Sequence, residues 1–354
     1  MKKHLFPLLI SLFLASVGLA ALFLGSDAML VLEKRYPASA PSFSLESGKM
    51  SEQTESYLSD RLPLRAFLTE TDALRKRLSG AGIDEEILSF GGALNERPLR
   101  IDARLQKNLD LLSRFSRESG MEIVLLTPPT AGYVRARSGG APLAYPDEEI
   151  FAAIAGTEGL TSVPTLEAFD SGELYYRTDP HWNADGAYLA YSLVCPYLGL
   201  EARSRDAFEV SSFPVFRGSC YNRAMLWHIQ AEDIMLWDDK NPYAVTLDGN
   251  TDHEGIFFTE HLEGADPYQV YLDGNHGLTV IDNPEGSGRS LLILKDSFGN
   301  SVAPLLAGHY SRVTLIDLRA YRGHISELGQ FDRVLAVYCP DSLVTATSLS
   351  YLHY

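Results

Sequence analysis

The stretch that decides the fold is SLLILKDSFGNSVAPLLAGHYSRVTLIDL, residues Ser290 to Leu318. Four consecutive apolar side chains, Leu291 to Leu294, need burial on both sides of the chain, which is the pattern of a strand inside a parallel sheet. A turn follows at Asp296 and Ser297, then a helix through Leu306, and RVTLIDL (Arg312 to Leu318) begins a second apolar strand. Parallel strands require such helical crossovers, because a tight turn can join only antiparallel neighbours.

The same alternation extends in both directions. Towards the C-terminus a short helix around His324 to Gly329 precedes RVLAVY, Arg333 to Tyr338. Towards the N-terminus, Leu105, Leu109, Leu112 and Phe115 recur at spacings of three and four between Asp102 and Ser119, which predicts a helix. Gly120 ends it, and MEIVLL, Met121 to Leu126, reads as another buried strand. The fold class is therefore α/β, a mostly parallel, doubly wound sheet with helices on both faces. Between about 201 and 284 the pattern dissolves into aromatic-, Gly- and Asp-rich segments. This region is expected to be an insertion of short strands and loops over one end of the sheet, a substrate lid.

At the N-terminus, Lys2, Lys3 and His4 precede an uncharged, mostly apolar run from Leu5 to Leu24. About 20 such residues suffice to cross a hydrocarbon core, with the basic flank inside. Residues 1–25 are thus expected to form a transmembrane helix that leaves the rest of the chain outside the cytoplasm; the alternative is a cleaved signal segment and a secreted domain. Residues 26–50 are rich in Pro, Ser and Ala and read as a linker. Residues 51–354 are expected to form one domain, beginning with a helical stretch, Ser51 to Leu78, interrupted near Pro63.

With 354 residues, 45% of them hydrophobic and 21% charged, the chain has the composition of a folded globular protein. Its net charge of -16 opposes nucleic acid, whose binding rests on Lys and Arg displacing counterions from phosphates. A neutral or basic glycan suits this surface better. Cys195, Cys220 and Cys339 are too few for a disulfide framework and contain no CxxC pair; they read as buried small hydrophobes, with one disulfide left open. His228, His253, His261 and His276 have no zinc-ligand spacing, so neither metal nor cofactor is expected.

Two segments carry chemistry. In LYYRTDPHWNADGAYLAY, Leu174 to Tyr191, Asp179 and His181 lie two apart on a loop, and Asn183 stands where it caps a helix starting near Ala184. A carboxylate so placed can fix an imidazole tautomer and stabilise imidazolium, although a purely structural pair has the same spacing. In LLILKDSFGNS, Leu291 to Ser301, Ser297 sits between a strand's carboxyl end and a helix's start, where free backbone N–H groups can hold an oxyanion. Capping the helix is its plainer role. Trp182, Trp227 and Trp237 fit either a sugar-binding cleft or the core.

Together, Asp179-Pro180-His181-Trp182 and the later Lys295-Asp296-Ser297, with YYRTD, YLDGNHGLTVI and VLAVYCPDSL, resemble the DHHW proteins, relatives of the alginate O-acetylation proteins in the SGNH hydrolase-like superfamily. The resemblance implies a three-layer SGNH-like domain in which Ser297 is the nucleophile, His181 the general base and Asp179 its orienter. It suggests Gly274, Asn275, Trp182 and Arg177 as oxyanion or substrate contacts. Two positions depart from the pattern: Pro180 replaces the first His of D-H-H-W, and Lys295 stands where typical SGNH enzymes have Gly. The implied activity is O-acetylation of a cell-surface polysaccharide or cell-wall glycan, with a membrane-bound O-acyltransferase as donor partner. A carbohydrate esterase, or a catalytically weak glycan-binding scaffold of an export complex, is the alternative.

Overall fold

The computed structural model describes residues 2–24, 27–28, 30, 36–43, 48–78, 86–226, 228–249 and 251–354. Trp227 and much of the expected linker lie outside the described residues. The chain divides into two compact units, Met1–Glu85 with Tyr221–Ile229, and Glu86–Cys220 with Gln230–Tyr354.

The first unit contains helices Lys2–Leu24, Lys49–Asp60 and Arg65–Leu78. The break at Pro63 falls between the last two, as the sequence predicts. The expected transmembrane segment folds as the Lys2–Leu24 helix, with Pro7 inside it. Among the described residues no helix is long and apolar enough to cross a membrane.

The second unit is built on strands. In chain order they are β1 (Ile87–Phe90), β2 (Ala93–Glu96), β3 (Ile123–Leu126), β4 (Leu160–Ser162), β5 (Glu209–Phe216), β6 (Glu232–Asp238), β7 (Ala244–Leu247), β8 (Thr251–Glu254), β9 (Leu278–Asp282), β10 (Ser290–Lys295), β11 (Arg312–Ile316) and β12 (Arg333–Val337). Eight form one sheet in the order β4-β3-β12-β10-β11-β9-β7-β8. The first five are mutually parallel, and β9, β7 and β8 extend the β11 edge in antiparallel fashion.

Two faces follow from the period of two along each strand. Leu291 and Ile293 join Val124, Leu126, Leu335 and Val337 in a core closed by residues of helices Ala184–Val194 and Gly299–Ala307. Leu292 and Leu294 face the other way, with Ile123, Leu125, Val334 and Ala336, against helices Ala103–Ser119, Asp147–Ala155 and Pro340–Thr345. Both faces being covered is what the unbroken apolar run Leu291–Leu294 requires.

Two expectations change. The sheet is mixed rather than mostly parallel, because the region about 201–284 does more than lie over one end: its β7, β8 and β9 join the sheet. Its β5 and β6 pair antiparallel in a two-stranded sheet of their own. β7 and β9 alternate buried residues with exposed or part-exposed ones. An antiparallel edge tolerates that pattern, but four or five residues of it are too short to stand out in sequence.

Candidate active site

The D-x-H-W segment is a tight turn closed by a bridge between Tyr175 and Trp182. The Tyr176 N–H donates to the His181 carbonyl (3.2 Å) and the Asn183 N–H to that of Leu174 (3.0 Å). Asn183 then caps helix Ala184–Val194, its side-chain oxygen accepting from the Gly186 N–H at 3.1 Å. Behind the turn the buried Arg135 donates to the Tyr176 carbonyl (2.9 Å) and to Asn95 (2.8 Å). A short loop held at both ends and from behind keeps Asp179 and His181 on one side.

Ser297 follows β10. The Asp296 carboxylate beside it accepts from the Phe298 N–H (2.9 Å), the Cys339 N–H (2.7 Å) and the Ser342 hydroxyl (2.7 Å), tying the β10 turn to the segment after β12. Lys295 is almost wholly buried. Its stem packs where a Cβ on Gly299 would come within 2.6 Å, so the helix start accepts no side chain there. Its ammonium donates to Asn275 Oδ1 at 3.2 Å and lies 3.6 Å from the Asp317 carboxylate, which Arg319 also pairs. Burial pushes the Lys295 amine down to about 8 despite Asp317.

These loops bring the three side chains together. His181 Nδ1 lies 2.5 Å from Asp179 Oδ1, and His181 Nε2 lies 2.7 Å from Ser297 Oγ. Asp179 also accepts from the His181 N–H (3.0 Å) and the Ser219 N–H (2.7 Å). Burial alone would raise the Asp179 carboxyl; the charge of His181 and these hydrogen bonds outweigh it and hold the group below the usual carboxylate range. His181 and Ser297 line a cavity of ≈ 180 Å³. Further walls come from Pro129–Gly132 after β3, Arg319 after β11 and Cys339–Ser342 after β12, with Asn95–Arg97, Leu99 and Tyr145 on another side. The cavity therefore opens at the carboxyl edge of the parallel strands, where open α/β sheets bind ligands.

The remaining site candidates fall elsewhere. Trp182 is fully buried, donating from Nε1 to Ser301 Oγ at 2.7 Å and packing edge-on against Phe298; it offers no face to a ligand. Trp237 is buried in the same core. Gly274 closes a left-handed turn and does not line the cavity. Asn275 accepts from Lys295 and from Asn300 Nδ2 (3.1 Å). Arg177 points to Glu232, 3.6 Å away, rather than into the cavity.

Of the four histidines, His228 pairs with Glu70 and His253 stacks on Phe258, while His261 and His276 share the Asp273 carboxylate. Cys195, Cys220 and Cys339 are not joined by a disulfide.

Several residues that complete the site had no signal in the sequence. Gly218 and Ser219 lie against Asp179 from 40 residues away. Tyr268 stacks on His181 with ring centroids 4.3 Å apart. Thr130, on the cavity wall, is held by the buried Asp147 carboxylate through its N–H (2.6 Å) and hydroxyl (3.0 Å).

Fold and site define an α/β protein with a hydrogen-bonded Asp-His-Ser chain opening into a cavity at its sheet edge. Residues 165–316 match the protein family described as DHHW protein, so the resemblance carried by D-x-H-W stands. Among solved structures the chain is similar to a DHHW family protein from Eubacterium siraeum, with TM-score 0.63 and 20% identity over 76% of this chain and 98% of that one. It is similar also to Bacillus cereus PatB1 carrying a sulfonyl adduct, with TM-score 0.62 and 19% identity over 75% and 98%. A looser likeness, TM-score 0.41 and 16% identity over 70% and 86%, runs to the O-acetyltransferase domain of Pseudomonas putida AlgJ. The first two show the fold. No curated protein matches the chain.

Two outcomes test this geometry. A Cβ on Gly218 would overlap the Asp179 side chain, so Gly218→Ala should displace the carboxylate and slow labelling of Ser297 by a sulfonyl fluoride by about tenfold or more; labelling at the wild-type rate contradicts the assignment.

The second concerns pH. The folded chain releases the Lys295 proton near pH 8 and the unfolded chain near 10.5, so more protons are bound in the unfolded state across that window and stability rises with pH there, by up to about 3 kcal/mol. Urea midpoints at pH 8 and 10 should rise more for wild type than for Lys295→Met. Equal shifts would remove the assignment.

Proposed function

We propose that the protein is an acyl transferase of the SGNH type that O-acetylates an extracytoplasmic glycan through Ser297, His181 and Asp179. The observation that carries this reading is the unbroken Asp179–His181–Ser297 hydrogen-bond chain ending in a cavity. Ser297 Oγ attacks the acyl carbon of a donor ester as His181 Nε2 takes its proton, and the imidazolium formed is stabilised by Asp179 at Nδ1. His181 then protonates the departing alcohol. In the second half a sugar hydroxyl gives its proton to His181 and attacks the acyl-Ser297, which regenerates the free serine. The Ser297 N–H, at the turn between β10 and helix Gly299–Ala307, contributes to holding the tetrahedral oxyanion. Water in place of the sugar would make the same site an esterase.

PatB1, of this fold, has been captured with a sulfonyl adduct, and an activated nucleophile is the group such a reagent finds. The family resemblance supports acetyl as the acyl group, and a membrane-bound O-acyltransferase as its supplier. The basic flank at Lys2 and Lys3 and the apolar run Leu5 to Leu24 support placement outside the cytoplasm. Leu8, Leu12, Phe13 and Phe23 of that helix are exposed large apolar side chains, which a lipid phase would cover.

With an activated acetyl ester, Ser297→Ala should lower kcat by about a thousandfold or more; equal acetate release by both proteins sinks the enzyme reading. Adding candidate polysaccharides should divert acetyl from water to sugar if transfer is the function. For placement, the full chain expressed in cells should stay with alkaline-washed membranes and be cut by external protease. Recovery in the medium without Lys2–Leu24 would mean a cleaved signal segment, and recovery with the cytosol would refute an extracytoplasmic site.

A further inference from the structure

Three hydrogen bonds fix the Asp179 carboxylate, but only one of them reaches the imidazole ring of His181. The ring is held at both nitrogens, by Asp179 at Nδ1 and by Ser297 at Nε2, but a ring so held can still tilt about the line joining them. Two aromatic rings restrict that tilt: Tyr268, with centroids 4.3 Å apart and planes 26° apart, and Phe298, at 4.4 Å and 40°. Phe298 adjoins the nucleophile. Tyr268 comes from the distant helical turn Pro267–Val270, is 7% exposed, and packs closest to parallel with the imidazole.

Its hydroxyl is anchored in turn. It donates to Ser301 Oγ at 3.1 Å, the same oxygen that receives Trp182 Nε1, and lies 3.4 Å from the Ser297 carbonyl. Burial raises the phenol well above its ordinary range, so it stays a neutral donor.

We propose that Tyr268 is a positioning residue for His181: its ring holds the imidazole plane on the line from Asp179 to Ser297, and its π face stabilises the imidazolium that forms when Ser297 loses its proton. The attraction of a cation to an aromatic face supplies the physical reason. The effect belongs to the charged intermediate rather than to substrate binding, so it acts on kcat and not on KM. This inference rests on the acyl-transfer reading, and its test separates the two.

With an activated acetyl ester, Tyr268→Leu should lower kcat about 10- to 30-fold with KM within about twofold. Tyr268→Phe, which keeps the ring, should recover most of that loss. A fluorinated phenylalanine series at position 268, which drains the π face without changing shape, should lower kcat stepwise and serves if the leucine variant does not fold. The downfield proton resonance of His181 Nδ1–H, recorded without substrate, should sharpen with the ring present and broaden in Tyr268→Leu.

A flat fluorine series with an unchanged resonance overturns the proposal, as does a Phe variant as slow as Leu. Wild-type protein that neither turns over nor accepts a sulfonyl label at Ser297 fails the acyl-transfer reading instead, while the resonance still decides whether Tyr268 orders His181.

Discussion

A buried carboxylate organises this molecule. Asp179 is 4% exposed, and an ionised group taken out of water is costly unless donors surround it. Its donors come from three directions: the backbone of its own turn at His181, the His181 ring, and the Ser219 N–H. Satisfying that one group draws the segment around Gly218 against the D-x-H-W turn, leaves no room for a side chain at Gly218, and aims His181 at Ser297. A second buried carboxylate, Asp296, does the same across the sheet edge, binding the turn after β10 to Cys339 and Ser342. A buried carboxylate left without one of these donors would carry the cost of an unsatisfied charge.

The sheet supplies the edge at which the segments that the two carboxylates hold converge. Parallel strands all end on the same edge, so the loops after β3, β10, β11 and β12 converge there without any contact between them in sequence. Helix Ala184–Val194, capped by Asn183, packs its apolar face into the same core as Leu291 and Ile293. The residue that begins the helix thus sits one step from the loop bearing His181, and a rigid core sets the distance between base and nucleophile. The departure at Lys295 fits the same frame. Its stem replaces the space that a glycine would leave and packs on Gly299, while its ammonium is held by Asn275 and Asp317.

Much of this was legible along the chain. β10, β11 and β12 and the helices among them stand where apolar runs and their breaks place them, because a strand buried on both faces writes a continuous apolar signature. Asp102 and Asn183 cap the helices they precede, a local interaction that local sequence can report. The region about 201–284 reads along the chain as an insertion of short strands and loops, and its share in the main sheet stays hidden there because β7 and β9 are short and half-exposed. Trp182, offered as a sugar contact, is sealed in the core, and an indole carries no mark of which side of a turn it will face.

The sequence by itself determined the α/β class, the strand–turn–helix at Ser297 and the kinship of the D-x-H-W segment, each of which depends on residues near one another in the chain. Only the tertiary structure decided that His181 and Ser297, separated by 116 positions, come within 2.7 Å. It alone also decided that Tyr268, Ser219 and Asp296 surround them. Those juxtapositions come from burying apolar strands and satisfying carboxylates across distant segments, and burial is a property of the folded whole that no single stretch of sequence contains.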